Sequence, residues 1–140
     1  MNQFALDERL ENDCIVLGML GTSSLLMMNT SLVPWFILVP HTSEIEITDL
    51  PEAEQLALLK EINLLSEFIK NNFNATKLNT AAIGNIVSQL HIHVVGRSPS
   101  DYCWPNVVWG TKEKEAYSDE RVKDIIAALK DQFGENYRKK

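Results

Sequence analysis

The chain is organised around residues 84–97, which read Gly84-Asn85-Ile86-Val87-Ser88-Gln89-Leu90-His91-Ile92-His93-Val94-Val95-Gly96-Arg97. Polar and apolar residues alternate through most of residues 88–95, which predicts a strand, because successive side chains of a strand point to opposite faces. One face then carries the polar side chains of Gln89, His91 and His93, and the other carries Leu90, Ile92 and Val94. Two of the three histidines in the chain therefore stand side by side on a polar face that is backed by core.

The composition is that of a globular domain. The 140 residues are 45% hydrophobic and 23% charged, and a chain of this length buries about two-thirds of its unfolded surface. We therefore expect residues 1–140 to form a single domain. The net charge of −6 argues against nucleic-acid binding, which relies on a basic surface. A phosphate-bearing ligand must then be held by local hydrogen-bond donors.

The sequence also predicts the compartment. No run approaches the roughly 20 apolar residues that a membrane span needs, so we expect no membrane contact. The amino terminus lacks the basic and apolar regions of a secretory signal, which predicts a cytoplasmic protein. Cys14 and Cys103 are far apart and in unlike contexts, so we expect reduced thiols.

The remaining pattern predicts an α+β domain. Apolar runs bounded by turn residues predict five strands, at residues 14–20, 24–28, 35–39, 78–83 and 88–95. The short connections between successive strands favour antiparallel pairing, and helices segregated to particular faces of such a sheet complete the class. The first dozen residues are expected to form a short helix or an arm.

Two amphipathic segments predict the helices. The longer helix follows Pro51, is capped by Asp49 or its neighbour, and ends at residues 71–74. Its apolar stripe comprises Leu58, Ile62, Leu65 and Ile69, widened by Leu59 and Phe68. The second helix begins near Ser118 and stops at Gly134. An aromatic, turn-rich loop precedes it, so residues 98–140 are interpreted as an arm plus a C-terminal helix.

The histidine pair is open to three interpretations. The two imidazoles can satisfy hydrogen bonds in a purely structural role. They can supply two ligands to a metal ion, for which His41, Asp101 and Cys103 are the further candidates, although none stands at a diagnostic spacing. They can also catalyse nucleotidyl transfer, in which an imidazole nitrogen attacks phosphorus and a covalent intermediate divides one displacement into two steps.

A family resemblance favours the third interpretation. With φ for an apolar residue, Gln89-Leu90-His91-Ile92-His93-Val94-Val95 resembles the histidine triad (HIT) signature His-φ-His-φ-His-φ-φ, except that Gln89 replaces the first histidine. The preceding residues 84–88 resemble the pattern Gly-Gln-Ser/Thr-Val-x, and residues 33–40 resemble Val-Pro-Gly-His-φ-Leu-φ-φ-Pro. The resemblance extends from about Leu25 to Arg97, and it implies the HIT-like fold.

The resemblance also implies roles for individual residues. His91 corresponds to the nucleophile that attacks an α-phosphorus, and His93 corresponds to the histidine that orients the site and contacts a phosphate oxygen. Asn85 takes the place of a glutamine that binds phosphate, and Asn29 resembles the residue that binds the ribose hydroxyls. Gln89 is expected to hold the geometry of this network without titrating.

The implied activity is that of a nucleotide hydrolase or transferase. It would act on the α-phosphate of a nucleoside phosphoramidate or dinucleoside polyphosphate through a nucleotidyl-histidine intermediate, without a metal or other cofactor, in a homodimer. Phe36 falls where the family often has a supporting histidine, and Ile86 where a serine or threonine helps the leaving group. Because these groups are altered, the alternative is a catalytically weakened nucleotide-binding or regulatory module. Trp104-Pro105 is similar to a pair that helps build the neighbouring subunit's site, and Trp104 and Trp109 fit a dimer or an intramolecular cap equally well.

Overall fold

The computed structural model describes residues 3–140 and confirms the α+β class. Its sheet comprises β1 (Cys14–Leu20), β2 (Ser23–Met28), β3 (Trp35–Pro40), β4 (Lys77–Ala82), β5 (Ile92–Arg97) and β6 (Tyr137–Lys139). All pairs are antiparallel, and the spatial order is β4-β5-β3-β2-β1-β6. The helices are α1 (Glu8–Asp13), α2 (Glu52–Phe73) and α3 (Asp119–Phe133).

The prediction of about five strands missed β6. This strand is three residues long and largely polar, so it has no alternation that a sequence pattern can detect. It pairs with the end of β1, where the register shifts between Val16 and Gly18. Gly18 adopts a φ of +141°, and a Cβ there would collide with the carbonyl oxygen of Arg138, so glycine is required for this pairing.

The strand predicted at residues 88–95 begins later than expected. β5 covers Ile92–Arg97, because the residues before it form an irregular loop in which Gln89 hydrogen-bonds outside the sheet. The predicted alternation nevertheless holds on the apolar side, where Leu90, Ile92 and Val94 join the core beneath the helices. The loop therefore changes the start of the strand but not the face on which its side chains lie.

Helix α2 confirms the long apolar stripe with two corrections. Leu58, Leu65, Phe68 and Ile69 are buried, but Leu59 is 54% exposed and does not widen the stripe. Pro51 stands at the N-cap, while the expected cap residue Asp49 belongs to a preceding turn of 3-10 helix, Ile47–Asp49. The helix ends before Asn74, whose φ of 54° places it in the left-handed conformation, as expected for asparagine.

Helix α3 begins and ends as predicted. The Ser118 hydroxyl accepts a hydrogen bond from the backbone N–H of Arg121 at 3.1 Å, and Gly134 terminates the helix with a φ of 54°. Both long helices contribute to one core on one face of the sheet. A second apolar cluster on the opposite face draws on residues 4–10, Val87 and residues 102–109. The division into one domain with an arm at 98–140 stays a prediction.

Candidate active site

The histidine pair lies on the sheet face opposite α2 and α3. His93 belongs to β5, and His91 immediately precedes it. The two ring centroids are 5.0 Å apart, and the ring planes are inclined at 66°. Both side chains are buried, with exposed fractions of 5% for His91 and 6% for His93. The structure therefore brings the two predicted catalytic histidines together in an environment that excludes most water.

The ring of His91 has a protonation pattern that its surroundings define. Its Nδ1 lies 2.7 Å from the backbone carbonyl oxygen of Gln89. A carbonyl oxygen only accepts hydrogen bonds, so Nδ1 must carry the proton and donate. A neutral imidazole then has its lone pair on Nε2. His91 thus offers a nitrogen that can act as a nucleophile or a base.

His93 has the complementary pattern. The indole Nε1–H of Trp35 donates to His93 Nδ1 across 2.9 Å, and an indole nitrogen only donates. The lone pair of His93 is therefore on Nδ1 and the proton on Nε2. Burial, with a smaller contribution from the charge of His91, lowers the pKa of His93 to about 4. At neutral pH this ring is an uncharged hydrogen-bond donor, and its centroid lies 5.0 Å from that of His91.

Trp35 is a site residue that sequence reasoning missed. The register pairs Trp35 with Val95 and Ile37 with His93, so the alternation of β3 places Trp35 on the histidine face. The alternation of residues 35–39 in the sequence was therefore enough to place Trp35 on this face. Phe36, expected in place of a supporting histidine, lies instead in the opposite core, with ring centroids 6.0 Å from Phe68. The expectation is wrong by one position, since neighbouring strand residues face opposite ways.

Gln89 contributes to the site through its backbone. Its side chain turns toward the amino-terminal segment, where Oε1 accepts from the Asp7 N–H and Nε2 donates to the Ala5 carbonyl oxygen, both at 2.9 Å. The expectation that this side chain holds the histidine network is therefore corrected. Its carbonyl oxygen performs that role, and any residue at this position supplies a carbonyl.

A cleft of about 480 Å³ opens beside His93. Trp35 and Trp109 form part of its wall, with their ring centroids 6.0 Å apart in an edge-to-face arrangement. Ile86, which is 79% exposed, also lines the cleft. Lys112 and Lys114 add positive charge to the lining, and Asp13 and Glu113 add as much negative charge. The cleft thus combines an imidazole, aromatic surface and charged groups of both signs.

The two tryptophans of the carboxyl-terminal segment have different environments. Trp109 contacts His93 edge to face, with a centroid distance of 5.5 Å, and its buried Nε1 has no hydrogen-bond partner within the described residues. Trp104 is 37% exposed and lies against the guanidinium of Arg97, 5.7 Å from the ring centroid. Of these two tryptophans, Trp109 is therefore the one that contacts the histidine pair.

Arg97 holds the segment that follows β5. Its guanidinium makes two hydrogen bonds to the Asp101 carboxylate, at 2.7 and 3.1 Å, and one each to Asn79 and the Asn106 carbonyl oxygen. The Arg97 and Asp101 side chains are only 2% and 6% exposed. This buried network ties residues 98–106 to the sheet and so positions the chain that continues to Trp109.

The two predicted asparagines lie away from the histidine rings or are already engaged. Asn85 is exposed in the loop before β5, and its neighbour Ile86 lines the cleft in its place. The side-chain oxygen of Asn29 accepts a hydrogen bond from the backbone N–H of Tyr117 at 3.0 Å. Asn29 thus anchors the carboxyl-terminal segment beside the cleft.

The candidate metal ligands do not converge. His41 Nε2 lies 2.8 Å from the Ser24 hydroxyl, and Asp101 is engaged by Arg97. Within residues 3–140, no group of three or more His, Cys, Asp or Glu side chains is arranged to hold a metal ion. Over the same residues, none of the helices has the length and apolar character needed to cross a membrane.

Comparisons with known proteins identify the family. The HIT domain model matches residues 9–100. A histidine triad protein from Marinobacter aquaeolei VT8 is 40% identical with a TM-score of 0.88, over 94% of this chain and 97% of its own. One from Bradyrhizobium japonicum is 37% identical with a TM-score of 0.88, over 93% and 98% of the two chains.

A more distant structure shares the fold alone. Plasmodium falciparum diadenosine triphosphate hydrolase, in complex with cyclomarin A, is 20% identical with a TM-score of 0.61, over 94% of this chain and 86% of its own. The comparison with curated proteins found no match. The family model and the two bacterial structures, which align over nearly their whole length, show that this chain belongs to the HIT domain family.

Proposed function

We propose that this protein is a nucleotide hydrolase or transferase that acts on the α-phosphate of a nucleoside phosphoramidate or dinucleoside polyphosphate. One observation carries the proposal: the hydrogen bonds of His91 and His93 impose opposite protonation patterns on two rings 5.0 Å apart. His91 Nε2 then carries a lone pair, and His93 Nε2 carries a proton that it can donate. Attack on phosphorus requires such a nucleophile beside a donor that stabilises negative charge.

The first step forms a bond between His91 Nε2 and the α-phosphorus. The bond from phosphorus to the leaving oxygen or nitrogen breaks, and its electron pair goes to that atom. A nitrogen leaving group takes up a proton from solvent as it departs and leaves as the neutral amine. The imidazole ring gains positive charge in this step, which the Gln89 carbonyl oxygen stabilises by accepting from Nδ1–H. His93 Nε2–H donates to a non-bridging phosphate oxygen, whose charge increases as the transition state forms.

The second step releases the nucleotide. Water attacks the same phosphorus, the bond to His91 Nε2 breaks, and the electron pair returns to that nitrogen. The proton lost by water passes to solvent or to the departed group. The products are a mononucleotide and the free amine or, from a dinucleoside polyphosphate, the remaining nucleoside polyphosphate, and both rings regain their starting protonation states.

The cleft beside His93 is the proposed nucleotide site. Its volume of about 480 Å³ falls within the range of about 300 to 1,000 Å³ that is typical for small-molecule sites. Trp35 and Trp109 offer aromatic surface to a base. Lys112 and Lys114 offer hydrogen-bond donors to phosphates beside Asp13 and Glu113. The charges of these four side chains cancel, so the proposed phosphate binding depends on individual donors and not on a net positive lining.

We propose that Asn85 binds phosphate and Asn29 binds the ribose, and the two side chains differ in how available they are. Asn85 is exposed and close in sequence to Ile86 at the cleft, so its amide is available for a phosphate oxygen. A ribose contact by Asn29 requires the hydrogen bond from Tyr117 to be exchanged for one from the sugar. We therefore expect Asn85→Ala to weaken nucleotide binding more directly than Asn29→Ala, as measured by calorimetric titration.

A covalent adduct tests the proposal. The protein is incubated with an adenosine phosphoramidate, quenched rapidly and analysed by intact-mass spectrometry. We expect an added mononucleotide that is lost in His91→Ala and retained in His41→Ala, since His41 contacts Ser24 outside the cleft. Diadenosine triphosphate is the second substrate, chosen because the distant Plasmodium hydrolase has the same fold. Equal turnover by His91→Ala and wild type would refute the mechanism.

A nucleotide-binding or regulatory module is the second candidate. The observation that favours it is the burial of the proposed nucleophile, since the His91 side chain is only 5% exposed. Saturable binding of a nucleotide without adduct or product in the same experiment supports the module. Product formation that depends on His91 supports the enzyme.

We propose in addition that two copies of the chain associate through the edge of β4. This strand ends the sheet, and an unpaired edge exposes backbone donors and acceptors. Beside it, a groove of about 630 Å³ is lined by Leu56, Leu59 and Leu78, and the two former are 60% and 54% exposed. These leucines lie beside a free strand edge, and the same groove is also lined by Lys60, Asn63, Ser66, Glu67 and Lys70. Exposed leucines next to a free edge and charges of both signs fit a second copy of the same surface.

Light scattering tests the association. We expect twice the chain mass of 15.9 kDa for wild type and the single mass for Leu59→Glu. Ala127→Glu is the matched control, because Ala127 is exposed on α3, away from the groove. A single mass for wild type at micromolar concentration would contradict the proposal.

A further inference from the structure

Residues 3–7 lie against the histidine face, and Gln89 is the residue that binds them there. Both ends of its amide are used: Oε1 accepts from the Asp7 N–H, and Nε2 donates to the Ala5 carbonyl oxygen. These partners are 82 and 84 residues away in the sequence. A single side chain thus fixes the path of the amino-terminal segment by two backbone hydrogen bonds.

A second contact holds the same segment. The Phe4 ring stacks on the His41 ring with a centroid distance of 3.8 Å and an angle of 8° between the planes. Phe4, Ala5, His41 and Gln89 enclose part of a cavity of about 260 Å³. The segment therefore does not pack tightly against the residues beneath it. It covers them, unlike a fully packed element of the core.

The attachment of the segment locates it relative to His91. Gln89 precedes His91 by two residues, and its carbonyl oxygen lies 2.7 Å from His91 Nδ1. Phe4 and Leu6 pack against the apolar cluster on the same face of the sheet as the histidines. The segment is therefore attached next to the proposed nucleophile, and His91 itself is only 5% exposed.

We propose that Gln89 is a positioning residue that clamps residues 3–7 over His91, and that the clamp must open before an anionic substrate reaches the nucleophile. The backbone of Gln89 orients His91 while its side chain controls access to it. The role of His91 as the nucleophile rests on the proposed function. The clamp itself concerns only how accessible the His91 ring is. The amide partners of Gln89 are backbone groups, so the clamp does not depend on the identity of residues 5 and 7.

The size of the effect follows from the hydrogen bonds lost. Removing one hydrogen bond shifts a local opening equilibrium about fivefold, and removing two shifts it about thirtyfold. Gln89→Ala removes both side-chain bonds and keeps the carbonyl that orients His91. Gln55→Ala is the matched control, because the Gln55 amide also binds one backbone carbonyl, that of Leu50, at the start of α2.

Carbethoxylation of imidazole by diethylpyrocarbonate measures the accessibility of His91 without any substrate. The rate is followed at neutral pH on the full chain by peptide mass spectrometry, with fragmentation to separate His91 from His93. We expect Gln89→Ala to raise the rate at His91 by about 5- to 30-fold, and Gln55→Ala to leave it unchanged. Hydrogen exchange at the Asp7 amide should accelerate in parallel.

Two further variants keep the test decisive. Phe4→Ala should raise the rates at both His41 and His91, because it removes the other attachment of the segment. Gln89→Glu keeps the acceptor for Asp7 and loses the donor to Ala5, so its effect should be intermediate. An unchanged His91 rate in folded Gln89→Ala and Phe4→Ala would overturn the clamp. A protein that forms no nucleotide adduct, yet shows these rate changes, would refute the proposed function and leave the clamp standing.

Discussion

Replacing Trp35 by phenylalanine tests the protonation pattern on which the site depends. Trp35 is 8% exposed, and its Nε1–H is the donor to His93 Nδ1 at 2.9 Å. Phenylalanine retains an aromatic ring but has no N–H, so the buried Nδ1 loses its partner. An unsatisfied buried acceptor costs about 1 to 3 kcal/mol, and the smaller ring leaves a void that adds to this cost. We expect the free energy of unfolding to fall by about 2 to 4 kcal/mol.

Trp109→Phe is the matched control. Trp109 lies beside the same histidine, with centroids 5.5 Å apart, but its buried Nε1 has no partner in the described part of the chain. The same substitution there removes no hydrogen bond. We expect a change of less than about 1 kcal/mol, measured with Trp35→Phe by urea denaturation at neutral pH.

The two variants should also differ in the protonation of His93. Without the indole donor, the His93 proton can move to Nδ1, which nitrogen NMR of the imidazole reports directly. The proposed reaction then loses the donor to the phosphate oxygen, and removal of one such donor lowers kcat by about 100- to 1,000-fold. Similar stabilities for Trp35→Phe and Trp109→Phe, with His93 still protonated on Nε2 in both, would refute this reasoning.

Three other perturbations have expected outcomes. The pKa of His93 is lowered from 6.5 to about 4, so between these two pH values the unfolded chain binds a proton that the folded chain does not. The free energy of unfolding should therefore decrease by about 3 kcal/mol as pH falls through this interval. In His93→Gln, the free energy of unfolding measured by urea denaturation should depend less on pH. Glu61→Gln should lower the free energy of unfolding by about 2 to 3 kcal/mol in the same assay. The buried Glu61 carboxylate accepts three hydrogen bonds from the β1–β2 hairpin, and an amide cannot accept all three. The control Glu67→Gln changes an exposed residue and should leave stability unchanged. Asp101→Asn leaves the buried Arg97 charge uncompensated, so a loss of about 3 to 5 kcal/mol and faster hydrogen exchange across residues 98–106 are expected.

The sequence predicted correctly those elements whose apolar residues recur with a regular spacing. Leu90, Ile92 and Val94 occupy the helix-side core, and the α2 stripe is buried at Leu58 and Leu65, because burial of one face imposes the periodicity directly. Ser118 and Gly134 mark the ends of α3 for equally local reasons, a side-chain cap and a positive φ.

The parts that escaped prediction depend on contacts between distant residues. β6 has no pattern of its own and forms because Gly18 leaves room for it against β1. The Gln89 amide finds its partners more than 80 residues away, so no local rule could assign them. Leu59 has the spacing of a core residue, yet it is exposed beside the groove at the sheet edge.

The proposed chemistry of the histidine pair depends on the two groups that orient the rings. The group that fixes His91 is the carbonyl oxygen of residue 89, which glutamine supplies as well as histidine. The group that fixes His93 is the indole of Trp35, which does not titrate, whereas an imidazole donor would lose its proton pattern as pH changed. The lone pair on His91 and the donor on His93 therefore need neither the first histidine nor a supporting one. The Gln89 side chain meanwhile binds the amino-terminal segment, so this residue adds a contact without displacing the proposed nucleophile.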